Sequence, residues 1–115
     1  MTFDEVRAFA FSLPGVADGT SYGHACLKAH GKFLTRLWDD GDTLVCPGIT
    51  FDEREMLIEA EPETFYVTDH YRGYPYVLIR LSRAHPGTVE RFLKQRWRAM
   101  APKTVLRAHD AASNG

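Results

Sequence analysis

The densest run of chemically capable side chains is His70-Tyr71-Arg72-Gly73-Tyr74-Pro75-Tyr76. It sets one imidazole, three phenols and one guanidinium within seven residues. Such groups stack on bases or other rings and bond anions. Gly73 and Pro75 suit a fixed turn. Two uses are open to this segment. Its tyrosines can pack over a sheet edge, or His70, Tyr71, Arg72 and Tyr74 can line a pocket for an anionic or aromatic small molecule. Lys28, Arg36 and Arg80 extend such a site if they share a sheet face turned away from the helices.

A second concentration is electrostatic. Residues 1–79 carry 6 basic and 13 acidic side chains, and residues 80–115 carry 8 and 2. The chain totals −1, but its two parts stand at −7 and +6. Arg91, Lys94 and Arg98 recur three, four and seven apart, along about 10 Å of one helical face. A basic stripe of this kind meets a polyanion. It equally neutralises an acidic remainder, since surface pairs contribute little. On the nucleic-acid reading the contacts are Arg36, Tyr71, Arg72, Tyr74, Arg80, Arg91, Lys94 and Arg98, with phosphate contacts dominating affinity. The net charge and a pI near 6.5 weigh against non-specific duplex binding.

Other chemistries lack their signatures. There is no GxGxxG, Walker A, GxSxG or HExxH motif. A non-catalytic protein with no cofactor is expected. His24, His30, His70, His85 and His109 are scattered without zinc spacing, so no metal is expected. Asp39, Asp40 and Asp42 fit turn chemistry better than a calcium loop. Cys26 and Cys46 form no CxxC pair and read as small buried residues without a disulfide. No apolar run approaches the ~20 residues of a membrane helix, so no membrane partner is expected. The acidic start lacks a basic n-region, and a reduced cytoplasmic protein is the expectation.

Several elements must position these groups. Thr2 and Glu5 have capping-box spacing, and Phe3, Val6, Phe9, Ala10 and Leu13 recur at helical intervals until Pro14-Gly15. Val16 to Gly23 reads as a loop. Ala25–Ala29, Phe33–Trp38 and Thr43–Cys46 read as an antiparallel meander joined by tight turns. In the second of these strands Phe33, Thr35 and Leu37 alternate with Leu34, Arg36 and Trp38. Thr50 and Glu53 suggest another capping box for a helix over Phe51–Ala60, ended by Pro62. Phe65–Thr68 and Tyr76–Leu81 read as strands. In the latter, Val77, Ile79 and Leu81 suit a core face, and Tyr76, Leu78 and Arg80 face the other way. Thr88–Met100 should form a long helix with Val89, Phe92, Leu93, Trp97 and Met100 buried. Lys103–His109 allows a further short turn of helix.

The expected fold class is therefore α+β: a single two-layer domain over residues 1–110, with 111–115 a frayed tail. A mainly antiparallel sheet of about five strands carries helices on one face. A hydrophobic share of 44% supplies a core and excludes a disordered chain.

Several segments resemble the MmcQ/YjbR-like family of small bacterial proteins. They are Leu13-Pro14-Gly15-Val16, Tyr22-Gly23, Lys32 to Leu37, Glu53-Arg54-Glu55, Pro62 to Tyr71 and Ala101-Pro102-Lys103. The resemblance runs from about Phe3 to about Arg107. It implies a frataxin-like, double-wing α+β fold and a DNA-binding or regulatory role. The frataxin-like iron site on an acidic helix does not carry over, because the first helix offers only Asp4 and Glu5.

Overall fold

The computed structural model describes residues 1–114, with side chains through residue 112. The element order is α1 (Phe3–Phe11), β1 (Val16–Ser21), β2 (His24–Ala29), β3 (Lys32–Leu37), β4 (Thr43–Pro47), α2 (Phe51–Ala60), β5 (Phe65–Tyr66), β6 (Tyr76–Arg80), α3 (Pro86–Met100) and α4 (Lys103–Asn114). The strands form one antiparallel sheet in the order β1-β2-β3-β4-β6-β5. The result is an α+β domain, as the residue patterns imply.

Local chemistry sets the boundaries. At α1 both halves of the Thr2/Glu5 capping box form. At α2 the Thr50 hydroxyl accepts from the Glu53 N–H at 3.1 Å. Pro86 opens α3 where its missing N–H costs nothing, and His85 caps it by accepting from the Gly87 N–H at 3.1 Å.

Three expectations need correction. Residues 16–21 form a strand, not a loop, so the sheet has six strands. As an edge strand β1 pairs only with β2 and leaves most side chains exposed, so it carries no apolar alternation. Lys103–Asn114 is a full helix rather than a short turn with a frayed end. Gly115, the rest of the expected tail, lies outside the described residues. The β2–β3 register slips between Leu27 and Lys28, which pair with Thr35 and Phe33. The bulge leaves Leu34 unpaired and puts Phe33 and Arg36 on the same face, against strict alternation.

The core lies between the sheet and the helices. Leu27, Ala29, Leu34, Leu44, Val77 and Ile79 of the sheet meet Val6 and Ala10 of α1 and Val89, Phe92, Leu93 and Trp97 of α3. Trp97 is fully buried, and its indole N–H donates to the Pro14 carbonyl at 2.7 Å. That bond ties α3 to the end of α1. With one sheet face filled this way, the opposite face has no helix over it. There the aromatic segment after β5 and the β1–β2 hairpin stand around open space.

Candidate functional site

The helix-free face carries a cleft of about 760 Å³. Strand residues form its floor: His24 of β2, Phe33 and Arg36 of β3, Val45 of β4 and Tyr76 of β6. The antiparallel pairing of Arg36 with Val45, and of Val45 with Leu78, keeps this set on one face. Ser21 and Tyr22 rise from the hairpin at one bank, and His70, Tyr71 and Tyr74 from the loop at the other. A second hollow of about 490 Å³ adjoins it, lined by Trp38, Asp39, Asp40 and Thr68. His24, Arg36, His70 and Tyr71 line both, so the two are lobes of one cleft.

Arg54 ties the loop to α2. This α2 side chain is buried, and its guanidinium donates to the carbonyls of Tyr74 (2.9 Å), Arg72 (2.9 Å), Tyr76 (3.2 Å) and Tyr71 (3.4 Å). The loop carbonyl of Pro75 also accepts from the N–H groups of Gly48 and Ile49. The rings then brace one another. Tyr71 stacks on Tyr76 with centroids 5.3 Å apart, Tyr74 leans on Tyr76 at 5.9 Å, and His70 meets Tyr71 edge-on at 4.6 Å. Trp38 approaches the Tyr71 ring at 6.1 Å. Burial pushes the Tyr76 phenol pKa up. Arg96 opposes that rise, while Tyr71, Tyr22 and Tyr74 add to it. Tyr76 is therefore a neutral phenol at physiological pH.

Arg36 is the cation of the cleft. It is half-buried, lines both lobes, and makes no hydrogen bond or ion pair with another described residue. Asp40 at the far lobe is already engaged. It accepts from the Thr43 hydroxyl at 2.6 Å and from the N–H groups of Asp42 and Thr43, and these bonds hold its carboxyl below the usual range. The Thr43 hydroxyl also meets the Tyr66 hydroxyl at 2.6 Å, and Arg80 lies over the Tyr66 ring at 4.0 Å.

The expected site residues therefore separate. Arg36, His70, Tyr71 and Tyr74 come together at the cleft. Arg72 does not line it. Its carbonyl is held inward by Arg54, and its side chain turns outward to Asp69 at 3.2 Å. Arg80 shares the sheet face but is spent at the β5 edge, on the carbonyls of Glu63 and Pro62 and on the Tyr66 ring. Lys28 pairs with Phe33 on the same face, yet its chain lies along Gly19, outside the cleft lining. Arg91, Lys94 and Arg98 sit on α3, in the other layer of the molecule.

Of that trio, Arg98 is not free for phosphates. It forms a bidentate pair with Asp110 of α4, at 2.8 and 3.2 Å, and the Arg98 bond holds the Asp110 carboxyl below its usual range. Arg91 and Lys94 are exposed, with the Arg91 guanidinium over the Phe92 ring at 5.0 Å.

Reasoning from sequence missed Arg54, Tyr22, His24, Phe33 and Trp38. Arg54 between two glutamates reads as a solvated helix residue. His24 and Tyr22 reach the cleft only through the sheet, and the bulge hides Phe33. Both cysteines are buried. Burial pushes the Cys46 thiol up to about 12, so it is no nucleophile at neutral pH. Among the described residues no cluster of three or more His, Cys, Asp or Glu side chains could hold a metal ion. No helix among them is long and apolar enough to cross a membrane.

No family model matches the chain, and no solved structure matches it. Curated relatives do. The uncharacterized protein Rv2570 of Mycobacterium tuberculosis is 37% identical over 126 aligned residues, covering 97% of this chain and 98% of its own. The uncharacterized protein Mb2600 of Mycobacterium bovis matches with the same identity and coverage. At that identity over almost the full length of both chains, the protein belongs to the same family as these mycobacterial proteins.

Proposed function

We propose that this protein binds a small molecule carrying a flat aromatic ring and an acid group, in the cleft on the helix-free sheet face. One observation carries the reading: Arg36, half-buried in the floor of an aromatic cleft, has no hydrogen-bond or ion-pair partner among the described residues. A guanidinium held there is already partly stripped of water, so an incoming carboxylate or phosphate meets it in a lower dielectric than bulk solvent. Its planar fork takes such a group through two parallel hydrogen bonds. The rings of Phe33, Tyr71, Tyr74 and Tyr76 supply apolar area and π-faces for the remainder. His24 and His70 flank the anion position, where an imidazole N–H can donate to it.

The separation of the basic helix from the aromatic loop supports this reading over a duplex-binding one. A duplex cannot engage Arg36 and Tyr71 on one face and Arg91 and Lys94 on the other at the same time. The test is a thermal-shift screen of aromatic carboxylates and phosphates beside their neutral analogues, with duplex DNA in a parallel salt series. A ligand at a hundred times its Kd stabilises by about 2.7 kcal/mol. Acidic aromatic compounds should raise Tm, and their neutral analogues should not. Stabilisation by duplex DNA alone, abolished by Arg91→Gln with Lys94→Gln, would overturn the proposal.

A further inference from the structure

Two hairpins of the sheet turn through a left-handed residue followed by glycine. Tyr22-Gly23 joins β1 to β2 with φ of 51° and 79°, and His30-Gly31 joins β2 to β3 with φ of 52° and 80°. Such turns favour Asn or Asp before the glycine, because a bulky residue is strained at positive φ. His30 packs its ring inside the fold. The ring closes over Gly15 so tightly that a Cβ there would come within 2.3 Å of the imidazole, and the His30 backbone N–H donates to the Gly15 carbonyl at 3.0 Å.

Tyr22 has no such packing inside the fold. It is 100% exposed, makes no hydrogen bond and stacks on no ring of a described residue. Tyr22 is nevertheless one of the residues that line the cleft, from the bank opposite Tyr71 and Tyr74. A large aromatic side chain, fully exposed on a strained backbone at the rim of a cleft, has its compensation outside the free protein.

We infer that Tyr22 is a ligand-clamping residue, closing the hairpin side of the cleft so that a flat ring is held between its phenol and those of Tyr71 and Tyr74. The clamp rests on the proposed aromatic-acid site and narrows its ligand. Both faces of the ring are covered, so the ligand is planar through that part and carries no bulky substituent above or below it. Its acid group lies in the ring plane, pointed down at Arg36.

The test uses 1-naphthoate as the probe, with affinity by isothermal titration and Tm measured on the same samples. Tyr22→Asn keeps the turn and removes the ring. It should weaken 1-naphthoate about tenfold, the loss of one stacking face. The same substitution should raise the Tm of the free protein by about 2–6 °C through relief of the positive-φ strain. His30→Asn should lower Tm instead, and Tyr22→Phe should keep most of the affinity. Unchanged affinity in Tyr22→Asn, with Arg36→Gln weakened, overturns the clamp and leaves the cleft reading standing. A fall in Tm with Tyr22→Asn shows the ring to be structural and also overturns it. If the unaltered protein does not bind 1-naphthoate, the clamp and the cleft reading fall together.

Discussion

Replacing Arg54 by Met removes the donor that organises the aromatic loop while keeping a long apolar stem in its place. Of the four carbonyls it serves, those of Tyr71 and Tyr74 also accept backbone N–H groups, from Tyr74 at 3.0 Å and Tyr76 at 2.7 Å. They retain a partner. The Arg72 carbonyl loses its bond of 2.9 Å, and Tyr74 loses the charged component of its pair. Hydrogen bonds to a charged donor are worth about 1.5–3 kcal/mol each, and the two short bonds do not add fully. The uncharged replacement regains some of the cost of burying a guanidinium with no carboxylate beside it. A net loss of about 2–3 kcal/mol follows. For a domain of this size that is a fall in Tm of about 8–18 °C. Urea unfolding gives the stability directly, with the slope m unchanged. Amide hydrogen exchange adds the local readout: residues 71–76 should lose protection well before β3 and β4. Arg54→Lys, which keeps the charge but reaches fewer carbonyls, should fall between the two. A change under about 0.5 kcal/mol, the size of an ordinary surface substitution, would refute the clamp role of Arg54.

Other outcomes follow from the same geometry. Trp97→Ala should cost about 3–5 kcal/mol in urea unfolding, because the ring is fully buried. Trp97→Phe should cost less, chiefly through the orphaned Pro14 carbonyl. Gly15→Ala should destabilise by at least about 1 kcal/mol, from positive φ (79°) together with collision of its Cβ with the His30 ring. Thiol titration should find Cys46 unreactive in the native state, and both cysteines reactive once the chain unfolds. Acid should weaken the fold with a definite sign. The backbone N–H and hydroxyl of Thr2 depress Glu5, the Thr43 hydroxyl depresses Asp40, and the Arg98 guanidinium depresses Asp110. Their stabilisation is present above the ordinary carboxylate pKa near 4 and is lost as pH falls through the lower folded values. Tm should therefore drop below about pH 4, and Asp110→Asn should flatten that slope.

Much of the fold is written in local patterns. The Phe51–Ala60 helix is legible to the residue, because Thr50 caps one end and Pro62 forbids extension past the other. Trp97 declares itself by sharing a helical stripe with Val89, Phe92 and Leu93. The strand at residues 16–21 is hidden because an edge strand with exposed side chains has no burial to imprint a pattern. Arg98 reads as free because its partner Asp110 belongs to a helix recognisable only once it folds back. The cleft is half legible. Tyr71 and Tyr74 stand out by composition, whereas Arg36 becomes their neighbour through strand pairing and a bulge. Arg54 is hidden most completely, since its partners are backbone carbonyls and leave no trace in residue type.

The binding site itself is most directly tested by mapping 1-naphthoate onto the protein through backbone amide and arginine side-chain NMR shifts. The largest movements should fall on the Arg36 guanidinium, on Val45, and on residues 70–76, with α3 unmoved. Naphthalene-1-methanol, which shares the ring but lacks the charge, should move them far less, and Arg36→Gln should erase the difference between the two compounds. Shifts concentrated on Arg91 and Lys94, or equal shifts from the acid and the alcohol, would contradict an anion site built on Arg36.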